Sequence, residues 1–188
     1  MIEKFLKLKG PQTGIAFFYC DYRDSEHHTT RNIIASMIKQ LALCRGTLPE
    51  ALRRLYNACD GGQKAPQEED LQRVLLEVCE TFPKVFLVID ALDECNAITQ
   101  RPSLLRALRT LRSSGTRLFI TSRPSADDIT GAFSESTQIA IKAQKTEIQR
   151  YLQARIENSP AAQDIMDREL QADIIRTLSR DANEMCVP

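Results

Sequence analysis

A chain of 188 residues is long enough to bury one substantial hydrophobic core. Its 25 basic residues balance 25 acidic ones without any block of like charge, which argues against a nucleic-acid backbone or an anionic membrane surface as a partner. Because the chain has neither a membrane-spanning apolar stretch nor a secretory signal at its N-terminus, we expect a cytoplasmic protein.

The first 82 residues predict one strand among helices. Apolar residues before Gly10 predict the end of a helix. Residues 14–22 (GIAFFYCDY) then predict a strand, and Thr29 or Thr30 is the expected N-cap of the helix that follows it. Apolar positions recur at helical spacing in three segments: residues 33–41, 48–56 and 71–82.

An apolar run that ends in carboxylates comes next. Residues 85–89 are all apolar and rich in β-branched side chains, which predicts a strand buried on both faces, as in parallel sheets. Asp90 follows directly, and Asp93 and Glu94 lie just beyond it. In open α/β folds the carboxyl ends of such strands are where ligands bind.

The second half of the chain repeats the alternation of helix and strand. Residues 104–111 predict a helix, and residues 117–121 (RLFIT) predict a third buried strand. Residues 137–141 alternate like a shorter strand. Two late helices are expected over residues 148–156 and 170–178. The fold class is therefore α/β, with a parallel sheet flanked by helices and a helical tail at the C-terminus.

The three acids after the buried strand are the first candidate site. Asp90 suits Mg²⁺, a hard cation that takes oxygen ligands, and Asp93 with Glu94 could orient or activate a water molecule. The alternative is an acidic turn that serves only solubility. A phosphotransferase of the haloacid dehalogenase type is disfavoured, because that site needs Asp-x-Asp and the acids here are spaced differently.

A second candidate is the segment TSRP at residues 121–124, which ends the third predicted strand at the same sheet edge. Arg123 presents a fork of donors suited to phosphate oxygens, so it could contact a terminal phosphate. The alternative is an ion pair between Arg123 and a neighbouring acid.

The phosphate-binding P-loop is not found in these residues. That loop needs G-x-x-x-x-G-K-[ST], and the sequence contains no Gly-Lys pair. The nearest glycine pair, Gly10 and Gly14, precedes a strand instead of a helix, and we interpret it as a turn.

The cysteines predict no metal site. Six are scattered without a Cys-x-x-Cys pair, mostly within apolar periodic segments, which is typical of buried free thiols in a reducing compartment.

Together these motifs resemble the fungal NACHT modules, also called the nephrocystin-3-like N-terminal domain. The resemblance covers about residues 1–185 and is specific only in combination. The segments that carry it are residues 17–22 (FFYCDY), 31–34 (RNII), 38–41 (IKQL), 87–95 (LVIDALDEC), 119–124 (FITSRP) and 147–152 (EIQRYL).

The resemblance implies roles for individual residues. Asp90 would be the Walker B acid that holds Mg²⁺. Asp93 and Glu94 would be the paired catalytic acids near the attacking water, and Arg123 would be the sensor arginine near the γ-phosphate. The cofactors implied for an intact parent are Mg²⁺ with ATP or GTP.

The resemblance also implies that the chain is an incomplete P-loop NTPase-like domain of the signalling (STAND) class, truncated before the Walker A motif. Residues 1–158 would be a partial NACHT core without its first strand and P-loop, and residues 159–188 the start of a helical subdomain. We expect the chain by itself to bind no nucleotide tightly and to give no useful turnover.

Two alternatives remain open. The chain could be a non-catalytic interaction module that pairs with full-length NACHT proteins or with itself. It could also be a gene-model fragment of an intact receptor with ankyrin or WD repeats.

Overall fold

Three parallel strands form a sheet in the computed structural model, which describes residues 12–24, 28–141 and 144–181. The strands are β1 (Thr13–Tyr19), β2 (Lys84–Asp90) and β3 (Arg117–Ile120). The order is β1-β2-β3, and both pairings are parallel. This confirms the prediction of an α/β fold with a parallel sheet.

The central strand β2 is buried on both of its faces, as its unbroken apolar run predicts. Val85, Leu87 and Ile89 belong to the main hydrophobic cluster, and each is at most 5% exposed. Val88, which alternates with them and so points to the opposite face of the sheet, is 4% exposed. Burial of both faces explains why the strand has no polar residue between the exposed Lys84 and Asp90.

Helices pack against the sheet within residues 1–135, and their bounds fit the predicted apolar spacing except for the short helix Asp127–Ala132, which was not predicted. Those in residues 1–135, which form one compact unit, are α1 (Thr30–Arg45), α2 (Glu50–Ala58), α3 (Glu68–Glu80), α4 (Arg101–Ser113) and α5 (Asp127–Ala132). Helix α1 packs against β1 and α3, and α4 contacts β3.

Helix α1 shows how the sequence sets the ends of an element. The hydroxyl of Thr29 accepts a hydrogen bond from the backbone N–H of Asn32 at 3.2 Å and caps the N-terminus. Gly46 ends the helix with a φ of 70°, a left-handed conformation that glycine adopts without cost. The buried face contains the apolar positions of the predicted stripe: Ile33, Ile34, Met37, Ile38 and Leu41.

Gly14 lies inside β1, paired with Val85, in agreement with the strand predicted from residue 14 onward, and the turn interpreted for the Gly10 and Gly14 pair does not extend to it. A Cβ at this position would lie 2.9 Å from a methyl group of Leu41 and 3.1 Å from the ring of Phe82. The glycine therefore lets α1 pack closely against the strand. Gly10, and the helix predicted before it, lie outside the described residues.

A second compact unit comprises residues 136–188. Its helices are α6 (Lys145–Glu157), α7 (Pro160–Ile165) and α8 (Arg168–Asp181), and α6 contacts both of the others. Gln144 and Glu147 form a capping box at the start of α6. The two predicted late helices are thus confirmed, while the assignment of residues 1–158 and 159–188 to functional subdomains stays a prediction.

The strand predicted over residues 137–141 is wrong. These residues form no strand, and Ile139 and Ile141 are 77% and 59% exposed. Alternation over five residues is a weak signal, because it does not provide the neighbouring strand on which a ladder forms.

No helix among the described residues is both long enough and apolar enough to cross a membrane.

The packing of α1 against β1 predicts a large difference between two leucines of one helix. Leu41 is 0% exposed and Leu43 is 67% exposed. We expect Leu41→Ala to lower the free energy of unfolding by about 2–5 kcal/mol, since it leaves a cavity in the core. The matched control Leu43→Ala should change it by less than about 0.5 kcal/mol. Urea denaturation followed by circular dichroism measures both, and equal losses would contradict the assignment of the buried face.

Candidate functional site

The predicted site residues lie together at the carboxyl edge of the sheet. Asp90 is the last residue of β2 and pairs with Tyr19, the last residue of β1. Thr121 follows the last residue of β3, and its N–H donates to the carbonyl of Ile89 at 3.0 Å. The parallel arrangement therefore brings the ends of all three strands to one edge.

The hydroxyl of Thr121 connects the ends of β2 and β3. It donates to Oδ1 of Asp90 at 2.5 Å and accepts from the N–H of Ala91 at 2.8 Å. The backbone carbonyl of Thr121 accepts a hydrogen bond from the N–H of Leu92 at 2.9 Å. The first bond orients the half-buried carboxylate of Asp90, and the other two hold the two residues that follow it.

Ala91 adopts a left-handed conformation, with φ of 52° and ψ of 47°. For a residue with a Cβ this conformation costs about 1–2 kcal/mol. The two bonds to Thr121 and the complete burial of Leu92 hold it in place. The strained residue turns the chain sharply from β2 into the short 3₁₀ turn Leu92–Glu94, which carries the other two acids.

The two acids of this turn hold Arg123. The N–H of Arg123 donates to Oδ1 of Asp93 at 3.2 Å, and its guanidinium lies 3.4 Å from Asp93 and 3.4 Å from Glu94. Its side chain is 70% exposed, while those of Asp93 and Glu94 are 12% and 21% exposed. The structure thus brings together Arg123 and the acids that the sequence singled out, and it contains the ion pair that was the alternative interpretation of Arg123.

The loop after β1 also contacts the turn Leu92–Glu94, hereafter the acidic turn. The N–H of Tyr22 donates to Oε2 of Glu94 at 3.1 Å. In the same loop Arg23 forms an ion pair with Asp21 at 2.6 Å, and the Arg23 side-chain and backbone hydrogen bonds lower the pKa of Asp21 to about 2. No local sequence pattern marks this loop as part of the site, because its contact with Glu94 joins residues far apart in the chain.

Arg101 is the main residue that sequence reasoning missed. It is only 7% exposed, although arginine is seldom buried. Its guanidinium donates to the carbonyls of Asp93 at 2.5 Å and Cys95 at 2.7 Å, and it pairs with the carboxylate of Asp128 at 3.1 Å. Arg101 therefore fixes the backbone of the acidic turn from its buried side. No sequence signal distinguishes it from the other arginines of α4.

Two buried cysteines, one at the end of β1 and one directly after the acidic turn, are in contact. The sulfur atoms of Cys20 and Cys95 are 3.1 Å apart. The hydrogen bond with Cys95, together with burial, raises the pKa of Cys20 above its usual range, and the same bond lowers the pKa of Cys95. All five cysteines in the described part of the chain are free and buried, as predicted.

The donor set of Asp90 fits one ligand position of a magnesium ion. One carboxylate oxygen is held by Thr121, and Mg²⁺ commonly takes only one or two carboxylates and completes its shell with water and phosphate oxygens. Within the described residues, no group of three or more His, Cys, Asp or Glu is arranged to hold a metal ion. The role of Asp90 as a magnesium ligand stays a prediction.

Comparison with known proteins agrees with the predicted resemblance. A family model described as "Nephrocystin 3, N-terminal" matches residues 1–123, which include Asp90, Asp93, Glu94 and Arg123. The chain belongs to the nephrocystin 3 N-terminal family. Vegetative incompatibility protein HET-E-1 of Podospora anserina is 30% identical over 145 residues, which is 72% of this chain. The chain spans 10% of the length of that relative. The nephrocystin 3 N-terminal match thus confirms the NACHT-like module expected from the motifs.

The bond between Thr121 and Asp90 predicts a measurable cost for losing one hydroxyl. Thr121→Val keeps the shape of the side chain but leaves Asp90 and the N–H of Ala91 without their partner. We expect it to lower the free energy of unfolding by about 1–3 kcal/mol. Thr121→Ser keeps the hydroxyl and should cost less than about 1 kcal/mol. Urea denaturation measures both, and the prediction fails if the two variants are equally destabilised.

The low pKa of Asp21 predicts where its ion pair is lost. Because the folded pKa of about 2 lies below the ordinary value of 3.8, the pair stabilises the fold above pH 3.8 and this contribution is lost as the pH falls through about 2. NMR titration of the Asp21 carboxyl carbon should show this midpoint, and Arg23→Gln should move it toward the ordinary value. Arg53→Gln, which removes the partner of Glu50, should leave it unchanged. An unchanged midpoint in Arg23→Gln would show that another group lowers the pKa.

Proposed function

We propose that this chain is a P-loop NTPase-like module of a NACHT-type (STAND) signalling protein, and that its described residues provide the acidic half of a magnesium–nucleotide site. The observation that carries the proposal is the convergence of Asp90, Thr121, Asp93, Glu94 and Arg123 at the carboxyl edge of one parallel sheet. Membership of the nephrocystin 3 N-terminal family supports it.

Asp90 would hold the magnesium ion through the carboxylate that Thr121 orients. The chemistry that a bound Mg²⁺ would supply at this position is neutralisation of negative charge on the phosphate groups. The bond from Thr121 to one oxygen fixes the direction of the carboxylate before any ligand arrives. A rigid ligand of this kind loses little conformational freedom on binding.

Asp93 and Glu94 would orient the attacking water, and Arg123 would contact the γ-phosphate. Ion pairs at exposed sites contribute only about 0–1 kcal/mol, and Arg123 lies 3.4 Å from each acid with most of its side chain in solvent. A phosphate at this edge could therefore draw the guanidinium away from the acids at small cost. That exchange would connect the state of the nucleotide to the conformation of the acidic turn.

The phosphate cradle is the part that these residues do not provide. The printed sequence has no Gly-Lys pair, and a P-loop uses its lysine and backbone N–H groups as the main phosphate ligands. By themselves these 188 residues would then bind ATP or GTP weakly and hydrolyse neither at a useful rate. Full-length NACHT proteins, or further copies of this chain, are the proposed partners, and the short coverage of HET-E-1 is consistent with a module of a larger protein.

Isothermal titration of the 188-residue protein with Mg-ATP and Mg-GTP tests the incomplete site. We expect no binding in the micromolar range, because the principal phosphate ligands are missing. Micromolar affinity for either nucleotide would contradict the proposal of an incomplete site.

Paramagnetic broadening by Mn²⁺ tests the role of Asp90 separately. In NMR spectra of the same protein, broadening should centre on the amides next to Asp90, and Asp90→Asn should remove it. Asp70→Asn, which removes a carboxylate on α3, is the matched control and should leave the broadening in place. Persistence of the effect in Asp90→Asn would show that the metal ligand is another residue.

A further inference from the structure

The thiols of Cys20 and Cys95 are close enough for an oxidant to join them as a disulfide. Their sulfur atoms lie 3.1 Å apart, and a disulfide bond is about 2.05 Å long. An approach of about 1 Å would therefore bring them to bonding distance. In sequence the two residues are far apart, so the fold alone creates this pair.

The backbone on both sides of the pair is fixed. The N–H of Cys20 donates to the carbonyl of Asp90 at 3.0 Å, which continues the β1–β2 pairing by one residue. The carbonyl of Cys95 accepts a hydrogen bond from the Arg101 guanidinium at 2.7 Å, and the N–H of Cys95 donates to the carbonyl of Leu92 at 3.2 Å. Because both backbones are fixed, the two sulfur atoms stay close together.

The other described cysteines offer no such partner. The thiol of Cys44 donates to the backbone carbonyl of Ile15 at 3.5 Å, and Cys59 and Cys79 are free and buried. Among the cysteines that the structure describes, contact between sulfur atoms occurs only between Cys20 and Cys95. Among these five described cysteines, oxidation that gives a disulfide is therefore directed to one pair.

We propose that Cys20 and Cys95 are a redox-sensitive site that forms a reversible disulfide in the presence of a hydroperoxide. The sulfur of one thiol attacks a peroxide oxygen, the O–O bond breaks, and with hydrogen peroxide a water molecule leaves, so that a sulfenic acid forms. The second thiol then displaces the sulfenic oxygen, which leaves with two protons as another water molecule. Two thiols are oxidised to one disulfide, and one peroxide is reduced to two waters.

Burial determines which oxidants reach the pair. Cys20 is 6% exposed and Cys95 is 2% exposed, so a bulky disulfide has little access, whereas hydrogen peroxide is only slightly larger than water. The acidic turn begins two residues after Asp90 and ends directly before Cys95. A disulfide would tie the end of β1 to this turn, next to the bond between Tyr22 and Glu94. The proposal does not depend on nucleotide binding.

The test is oxidation of the purified 188-residue protein with hydrogen peroxide, followed by alkylation of the remaining thiols and peptide mapping by mass spectrometry. We expect one cross-linked peptide pair that contains Cys20 and Cys95, with the protein lighter by two hydrogen atoms, and complete reversal by dithiothreitol. Recovery of these two cysteines as free thiols or as sulfinic acids would overturn the proposal. So would a dominant cross-link to any other cysteine, including Cys186.

Serine variants provide the matched comparison. Cys20→Ser and Cys95→Ser should each abolish the cross-link, while Cys79→Ser, which changes another buried thiol at 4% exposure, should retain it. If one of the first two variants does not fold, the peptide map of the unmodified protein still decides the question. Loss of the cross-link in Cys79→Ser as well would count against a specific pair.

Discussion

The hydroxyl of Thr121 resolves a conflict that the sequence of β2 creates. A strand buried on both faces ends in a half-buried carboxylate, and removing a charge from water is costly unless it is hydrogen-bonded. Thr121 donates to Asp90 and accepts from Ala91, and its backbone pairs with Ile89 and Leu92. One residue thus satisfies the acid, holds a strained turn and connects two strands. The rest of the edge depends on this arrangement, because the turn that carries the other acids starts directly after Ala91.

Around that link, the strength of the contacts decreases from the interior to the surface. Arg101 is buried and holds the backbone of the acidic turn through two carbonyls and the Asp128 carboxylate. Arg123, on the outer side, is mostly in solvent and makes only long contacts with the acids. Since exposed pairs contribute little and buried ones are costly to break, we infer a fixed turn with a mobile guanidinium above it. That combination suits a site in which the arginine responds to a ligand while the acids stay in place.

Both proposals concern the same edge but rest on different chemistry. The magnesium–nucleotide proposal depends on carboxylates and on phosphate ligands that these 188 residues do not provide. The redox proposal depends only on the pairing of β1 with β2, which places Cys20 beside Cys95 beneath the turn. Membership of the nephrocystin 3 N-terminal family gives context to the first proposal and leaves the second to be decided by the thiols themselves.

The sequence by itself determined most of the elements and the family. The unbroken apolar run of β2 and the spacing of Ile33, Ile34 and Leu41 in α1 are local patterns, so strand and helix could be predicted from them. Asp90 and its neighbouring acids were identifiable because parallel strands end at a common edge. The alternation at residues 137–141 predicted a strand that does not form, since a local pattern does not include the neighbouring strand that a ladder needs.

Only the tertiary structure decided which residues meet. The bridge by Thr121, the buried Arg101 and the pair of Cys20 with Cys95 join positions up to 75 residues apart. The sequence could place Gly14 at the start of a strand, but only the tertiary structure shows that Leu41 and Phe82 pack against it. Such contacts depend on the order and register of the strands, and no short stretch of sequence contains that information.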